Sequence, residues 1–299
     1  MKIKDIGALF ALAALWGASF LFIRIASPVL GPFLTIQGRV SIAAIALFIY
    51  MVVIGRSSEW RQRWKSYLMI GALNAAIPFV FIATAALYLN ASMSALLNSM
   101  TPLFTALVVW GWMKEPLGLR KWIGIMVGII GVMILVGWSP IEYTPHVIFA
   151  IVLSVLSTVS YGFAGVYTKK YFVGVSPLPL AVGQQMGASL LLLPFTLFQL
   201  PPSTADVTPV VVFSVVGVAL LCTAIAYLLY FYLITSVGPT KTASVTFLIP
   251  LFGMIWGVVF LGEKITLGMV AGLVVILSSI FFISDIQFRR SSSHKQIAS

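Results

Sequence analysis

Long apolar stretches alternate along the chain with short clusters of charge, Pro and Gly, a pattern that predicts membrane-crossing helices. Ten such runs can be traced, over 6–26, 33–54, 67–88, 92–112, 120–138, 147–168, 179–199, 208–235, 242–261 and 266–284. A crossing takes about 20 apolar residues, so each run suffices for one. The first run follows two lysines, Lys2 and Lys4, as a signal peptide would. Because nine comparable runs follow it, it is read as the first span. Residues 286–299 are read as a polar cytoplasmic tail.

Composition narrows the class. Of 299 residues 61% are hydrophobic and 8% charged, with a mean hydropathy of +1.09. A soluble domain carries about 25% charged residues, so a cytosolic enzyme and a nucleic-acid binder are both excluded. The net charge of +11 reports topology instead, since basic residues collect on cytoplasmic loops. With the amino terminus in the cytoplasm, fifteen of the eighteen Lys and Arg fall inside, leaving Lys264 outside and Arg24 and Arg39 within spans. Both termini are therefore expected in the cytoplasm, with the protein in the plasma (cell inner) membrane. Glu142, Asp206 and Glu263 then lie outside.

The chain also repeats itself. At a shift of 148 residues Ala95 falls on Ala243, Pro102-Leu103-Phe104 on Pro250-Leu251-Phe252, Glu115 on Glu263 and Gly124 on Gly272. At a shift of 145, Trp16-Gly17 falls on Tyr161-Gly162 and Pro32 on Pro177. Two five-helix halves, 1–139 and 140–285, are expected. An odd number of spans per half makes the second half enter from the opposite side. The fold class expected is thus an all-α polytopic membrane protein of ten transmembrane helices in two inverted repeats. Inverted repeats are the build of secondary transporters, with the substrate held near the midplane between the halves.

The Trp16-Gly17, Phe20 and Arg24 pattern, the Pro32 to Arg39 spacing, and the closings Pro102, Glu115, Gly124 and Pro250, Glu263, Gly272 together resemble the EamA-type drug/metabolite transporter family. The resemblance runs through the ten spans. It implies a secondary transporter with a central cavity that exports metabolites, amino acids or drugs, the aromatic amino acid exporters being the most suggestive members. The second half departs from the pattern: Tyr161 replaces Trp, and Gln184 stands where Arg39 would repeat.

Polar residues at helical spacing mark the candidate path, because an intramembrane polar group must be satisfied inside the bundle. The third span offers Asn74, Pro78 and Phe81, the fourth Asn98, the sixth Tyr161, the eighth Tyr227 and Tyr230, and the ninth Thr246. Ser, Thr and Asn also act as glue between helices, worth about 0.6–2 kcal/mol, so both roles stand open. Trp16 lies near mid-span, where it is either core or cavity wall. Pro78, Pro102 and Pro250 are expected to kink their helices and free the carbonyls of Asn74, Asn98 and Thr246. Arg39 either snorkels to the headgroups or meets a substrate carboxylate or an outer gate partner among Glu142, Asp206 and Glu263. Gly124 and Gly128 in the fifth span and Gly268 and Gly272 in the tenth form close-packing faces, against the bundle or against a second copy in a homodimer.

The remaining chemistry is sparse. Asp5, Glu115, Glu263 and Asp285 sit at span ends, the only histidines are His146 and His294, and Cys222 is the sole cysteine. No catalytic, metal-binding or cofactor-binding residue is expected, and no phosphate-binding loop is present. The partners expected are a small-molecule substrate and the lipid bilayer. A channel would need a continuous polar lining and an intramembrane enzyme a paired catalytic constellation. The stripe pattern favours a carrier that exports small metabolites, aromatic or other apolar amino acids first, with drugs, sugars or nucleosides as the alternative.

Overall fold

The computed structural model describes residues 1–57, 59–139, 142–198 and 206–283. Among these residues all regular structure is helical. Eight helices are long and apolar enough to cross a bilayer: α1 (Ile3–Leu30), α2 (Pro32–Val53), α3 (Trp60–Ala85), α4 (Ala91–Met113), α5 (Leu119–Gly137), α6 (Pro145–Tyr171), α7 (Pro177–Leu197) and α8 (Pro209–Val237). Two shorter apolar helices follow, α9 (Val245–Leu261) and α10 (Leu267–Ile283). The expected boundary at 140, the end of the seventh run at 199, Asp285, His294 and the tail 286–299 lie outside the described residues.

Local chemistry sets the helix ends. Proline occupies the first position of α2, α6, α7 and α8, where its missing N–H costs nothing. Asn90 and Thr144 cap α4 and α6 by accepting the amides of Met93 (2.8 Å) and Val147 (3.3 Å). Gly31, at φ 78°, supplies the one-residue corner between α1 and α2. The ninth run is shorter than expected. A single turn, Pro239–Thr242, precedes it, and Ala243 and Ser244 leave the helix before α9 begins.

Three helices depart from the regular α-helical path. α3 contains a π-helical turn at Ala72–Ala76 and α8 one at Leu220–Ile225. α4 breaks at Ser99 and Met100, resumes at Thr101, and ends in a third π turn, Val109–Met113. Pro102 therefore opens a helical segment rather than kinking one, and α9 runs unbroken through Pro250. The Asn98 carbonyl accepts the Thr101 hydroxyl at 2.7 Å, so it is closed locally and not left for a ligand.

In the bundle, α1 packs on α8 and α9, α2 on α7 and α8, α3 on α6 and α7, and α4 on α6 and α9. α5 and α10 form a pair at the side. Their glycines make that pair close. A Cβ on Gly124 would stand 2.7 Å from Ile283 and 2.9 Å from Phe282, and one on Gly272 2.7 Å from Leu135. Gly268 meets the Trp138 backbone, and Gly128 meets Leu103 and Ser279. Of the two alternatives left by the sequence, packing against the bundle is the one these four glycines show: each meets another part of the same chain. Outward, the pair presents Met126, Ile129, Met133, Val270 and Val274, all exposed, as lipid-facing residues do.

Candidate functional site

A cavity of about 610 Å³ lies inside the bundle, walled by α1 to α4 and α6 to α9, while α5 and α10 contribute nothing to it. Trp16, Arg39, Asn74, Asn98, Pro102, Tyr161, Tyr227, Tyr230, Thr246 and Pro250, all singled out from sequence, line it. Pro78 and Phe81 do not; Phe79 and Ile82 take their place. The π turn at Ala72–Ala76 explains the shift. A π turn inserts one extra residue, so the face that starts at Asn74 continues one position later than an α-helical count places it.

Aromatic rings form much of the wall. Trp16 and Tyr230 lie 5.6 Å apart between ring centroids, Tyr227 and Phe231 5.8 Å, and Phe79 meets Tyr161 edge-on at 6.5 Å. Phe20 and Phe172 complete the ring set. The sequence reading passed over Phe79, Phe172 and Phe231, and used Phe20 only in the family pattern.

Neutral polar groups bridge the walls. Asn74 Nδ2 donates to Gln184 Oε1 at 2.8 Å, and Gln184 Nε2 donates to the Tyr227 hydroxyl at 2.7 Å. Three helices, α3, α7 and α8, are tied by this chain of side chains. Gln184 is a cavity residue that sequence reasoning set aside as a departure from the repeat. Its place in register with Arg39 was the available signal. Asn98 Oδ1 is buried with no protein donor.

Arg39 does not snorkel. It is 5% exposed, seven residues into α2 and so about 10 Å along the helix from Pro32. Its guanidinium carbon lies 3.6 Å from the centroid of Phe79, a cation–π contact. Nε donates to Thr223 Oγ1, in the π turn of α8, at 3.0 Å, and that hydroxyl donates to the Val218 carbonyl just before the turn at 2.8 Å. None of the expected partners reaches it. Glu263 instead accepts the amides of Ala91 (2.7 Å) and Ser92 (3.0 Å) at the start of α4. Among the described residues no ion pair includes Arg39, Glu142 or Asp206; the pairs are Arg63 with Glu59 and Lys169 with Glu115. Arg24 is also internal: its guanidinium donates to the Ala86 and Leu87 carbonyls at the end of α3.

The lining extends to one end of the bundle, through Thr168, Phe172, Val175 and Pro177 between α6 and α7 and through Ile234 and Ala243 beside the α8–α9 turn. Among the described residues no group of His, Cys, Asp and Glu is arranged to hold a metal.

Helices long and apolar enough to cross a bilayer thus enclose a cavity of about 610 Å³. The chain belongs to the EamA-like transporter family, whose model matches residues 4–137 and again 148–285. It is similar to the uncharacterized transporter YvbV of Bacillus subtilis, 26% identical over 91% of this chain and 89% of the relative. It also resembles Protein PecM of Dickeya dadantii, 25% identical over 96% of this chain and 93% of the relative. The uncharacterized inner membrane transporter YedA of Escherichia coli is 25% identical over 87% and 84%. A solved crystal structure superposes with a TM-score of 0.65 at 15% identity, covering 94% of this chain and 96% of its own, a likeness of fold alone. The protein is thus an integral membrane transporter and not an enzyme.

Proposed function

We propose that the chain is a secondary transporter that exports small metabolites, aromatic or other apolar amino acids first among them, by alternating access through the central cavity. The observation that carries the reading is the cavity itself: aromatic walls, neutral amides and one cation, with no Asp or Glu in its lining. Such a lining suits a solute with an apolar body and few charges better than a sugar or a polyamine.

Alternating access needs two halves that rock against each other, and inverted repeats supply them. Ten spans in two halves, 1–139 and 140–285, are supported by the double match of the family model. The packing is consistent with this: α3 on α6 mirrors α8 on α1, α4 on α6 mirrors α9 on α1, and α3 on α7 mirrors α8 on α2. The π turns at Ala72–Ala76 and Leu220–Ile225 start 148 residues apart, the shift of the sequence repeat. Lys169, Lys170 and Lys241 flank the end that the cavity lining reaches, so with both termini cytoplasmic the conformation is inward-facing.

The test is an uptake and counterflow screen of reconstituted protein across amino acids, sugars, nucleosides and cationic drugs. Saturable, trans-stimulated flux of amino acids is the expected result. Preference for sugars or polyamines with indifference to amino acids contradicts the substrate class, and linear unsaturable flux points to a channel.

A further inference from the structure

We propose that the cavity selects its solute by a carboxylate, which docks on Arg39 and Tyr227, and that it refuses the matching amine. The proposal rests on the transport reading above and deepens it to a recognition rule.

A buried guanidinium without an anion is costly unless something supplies the countercharge. Arg39 is such a group: 5% exposed, paired with no carboxylate among the described residues, and facing a cavity whose lining contains no Asp, Glu or His. The protein orients it without neutralising it. Thr223 takes Nε and the Phe79 ring takes one face. Among the described residues the two terminal nitrogens make no hydrogen bond, which leaves the planar fork that matches a carboxylate in bidentate fashion.

Tyr227 supplies a second donor. Its oxygen accepts from Gln184 Nε2 at 2.7 Å, and Gln184 is held in turn by Asn74 at 2.8 Å. The amide relay therefore points the hydroxyl proton away from Gln184, and among the described residues no acceptor takes it, the neighbouring Gln185 amide included. Arg39 is tied to Thr223, and Tyr227 follows four residues later on the same helix and lines the same cavity. The two donors thus belong to one anion-receptive corner, and the Trp16–Tyr230 pair offers an apolar wall for the body of the solute.

Nothing comparable awaits an ammonium. The cavity offers it the neutral acceptor Asn98 Oδ1 and the repulsion of Arg39. A zwitterion can use Asn98 while its carboxylate holds Arg39; an amine can use Asn98 too, but it bears the repulsion of Arg39 with no carboxylate to offset it. The carboxylate is required and the ammonium is optional.

Two matched sets of probes test the rule by thermal-shift titration of the purified full chain in detergent micelles. The first is L-phenylalanine, 3-phenylpropionate and 2-phenylethylamine; the second is L-leucine, 4-methylpentanoate and 3-methylbutylamine. In at least one set both carboxylates bind, and the amine binds more weakly by on the order of thirtyfold or more. Arg39→Gln abolishes that preference, and Arg39→Lys retains part of it, each variant being compared at equal folded fraction. An amine that binds as well as its acid overturns the proposal, as does Arg39→Gln keeping the wild-type preference. If no carboxylate binds while the counterflow screen finds another saturable solute, the proposal fails and the transport reading stands. A screen in which no solute moves ends both.

Discussion

Oε2 of Glu263 accepts both the amide and the hydroxyl of Ser92, at 3.0 and 2.5 Å. Oε1 adds the Ala91 amide at 2.7 Å. A carboxylate is thus set on the first turn of α4, where free N–H groups and the helix dipole both favour negative charge. Helices alternate in direction, so this contact joins α4 to the α9–α10 turn at the end of the bundle opposite Phe172 and Pro177. In an inward-facing carrier that is the end that must be sealed.

Glu263→Ala removes all three bonds at once. Hydrogen bonds to a charged group contribute about 1.5–3 kcal/mol each at most, so a lower melting temperature is expected. A second readout separates a latch from a mere cap. A cysteine at position 98, in a Cys222→Ala background, should become more reactive to an impermeant reagent added from the outer side. A lower melting temperature with unchanged labelling would reduce Glu263 to a helix cap.

Gln184→Leu cuts the link between Asn74 and Tyr227. Two polar groups lose their partner beside the cavity, at a cost of about 1–3 kcal/mol for each one left unsatisfied. The expected outcome is a lower melting temperature together with reduced transport per folded molecule. Wild-type values for both would show that the bridge matters for neither.

Lys114 is the only non-glycine residue with positive φ among those described, at 59°, and Gly262 stands 148 positions later at 65°. Both end a helix in the left-handed region, which costs an L side chain on the order of 1–2 kcal/mol. Lys114→Gly should therefore raise the melting temperature, net of the extra freedom that glycine has when unfolded, with transport unchanged. A lower melting temperature would mean that the lysine side chain stabilises that turn by more than the strain.

The apolar runs were legible because a bilayer imposes a length and a composition that few other environments demand. Every run overlaps a helix, the ninth meeting α9 only after its first three residues. Phase within a helix was less legible. Pro78 and Phe81 sit on the α-helical continuation of Asn74, and the π turn that rotates the face to Phe79 and Ile82 leaves no mark in hydropathy. The glycine spacing in α5 and α10 specified close approach but not which surface approaches, and the partner is the other helix of the same chain. Arg39 was visible as an intramembrane charge. Its isolation from Glu263 was not, because that carboxylate is captured by backbone amides, which carry no sequence signature.

The central claim is that the cavity holds the transported solute, and one comparison tests it most directly: transport per folded molecule, measured beside melting temperature, for Trp16→Ala, Asn98→Ala and Gly128→Ala. A Cβ on Gly128 meets Leu103 and stands 3.0 Å from Ser279 Oγ, so that variant should lose about 1–3 kcal/mol of stability and keep its transport. Trp16→Ala and Asn98→Ala remove groups from the cavity wall. Both should transport less while still folding, Asn98→Ala by up to about tenfold for one lost hydrogen bond of 0.5–1.5 kcal/mol. If both instead transport at the wild-type rate and only melt lower, the two residues are packing and the cavity is not where the solute binds.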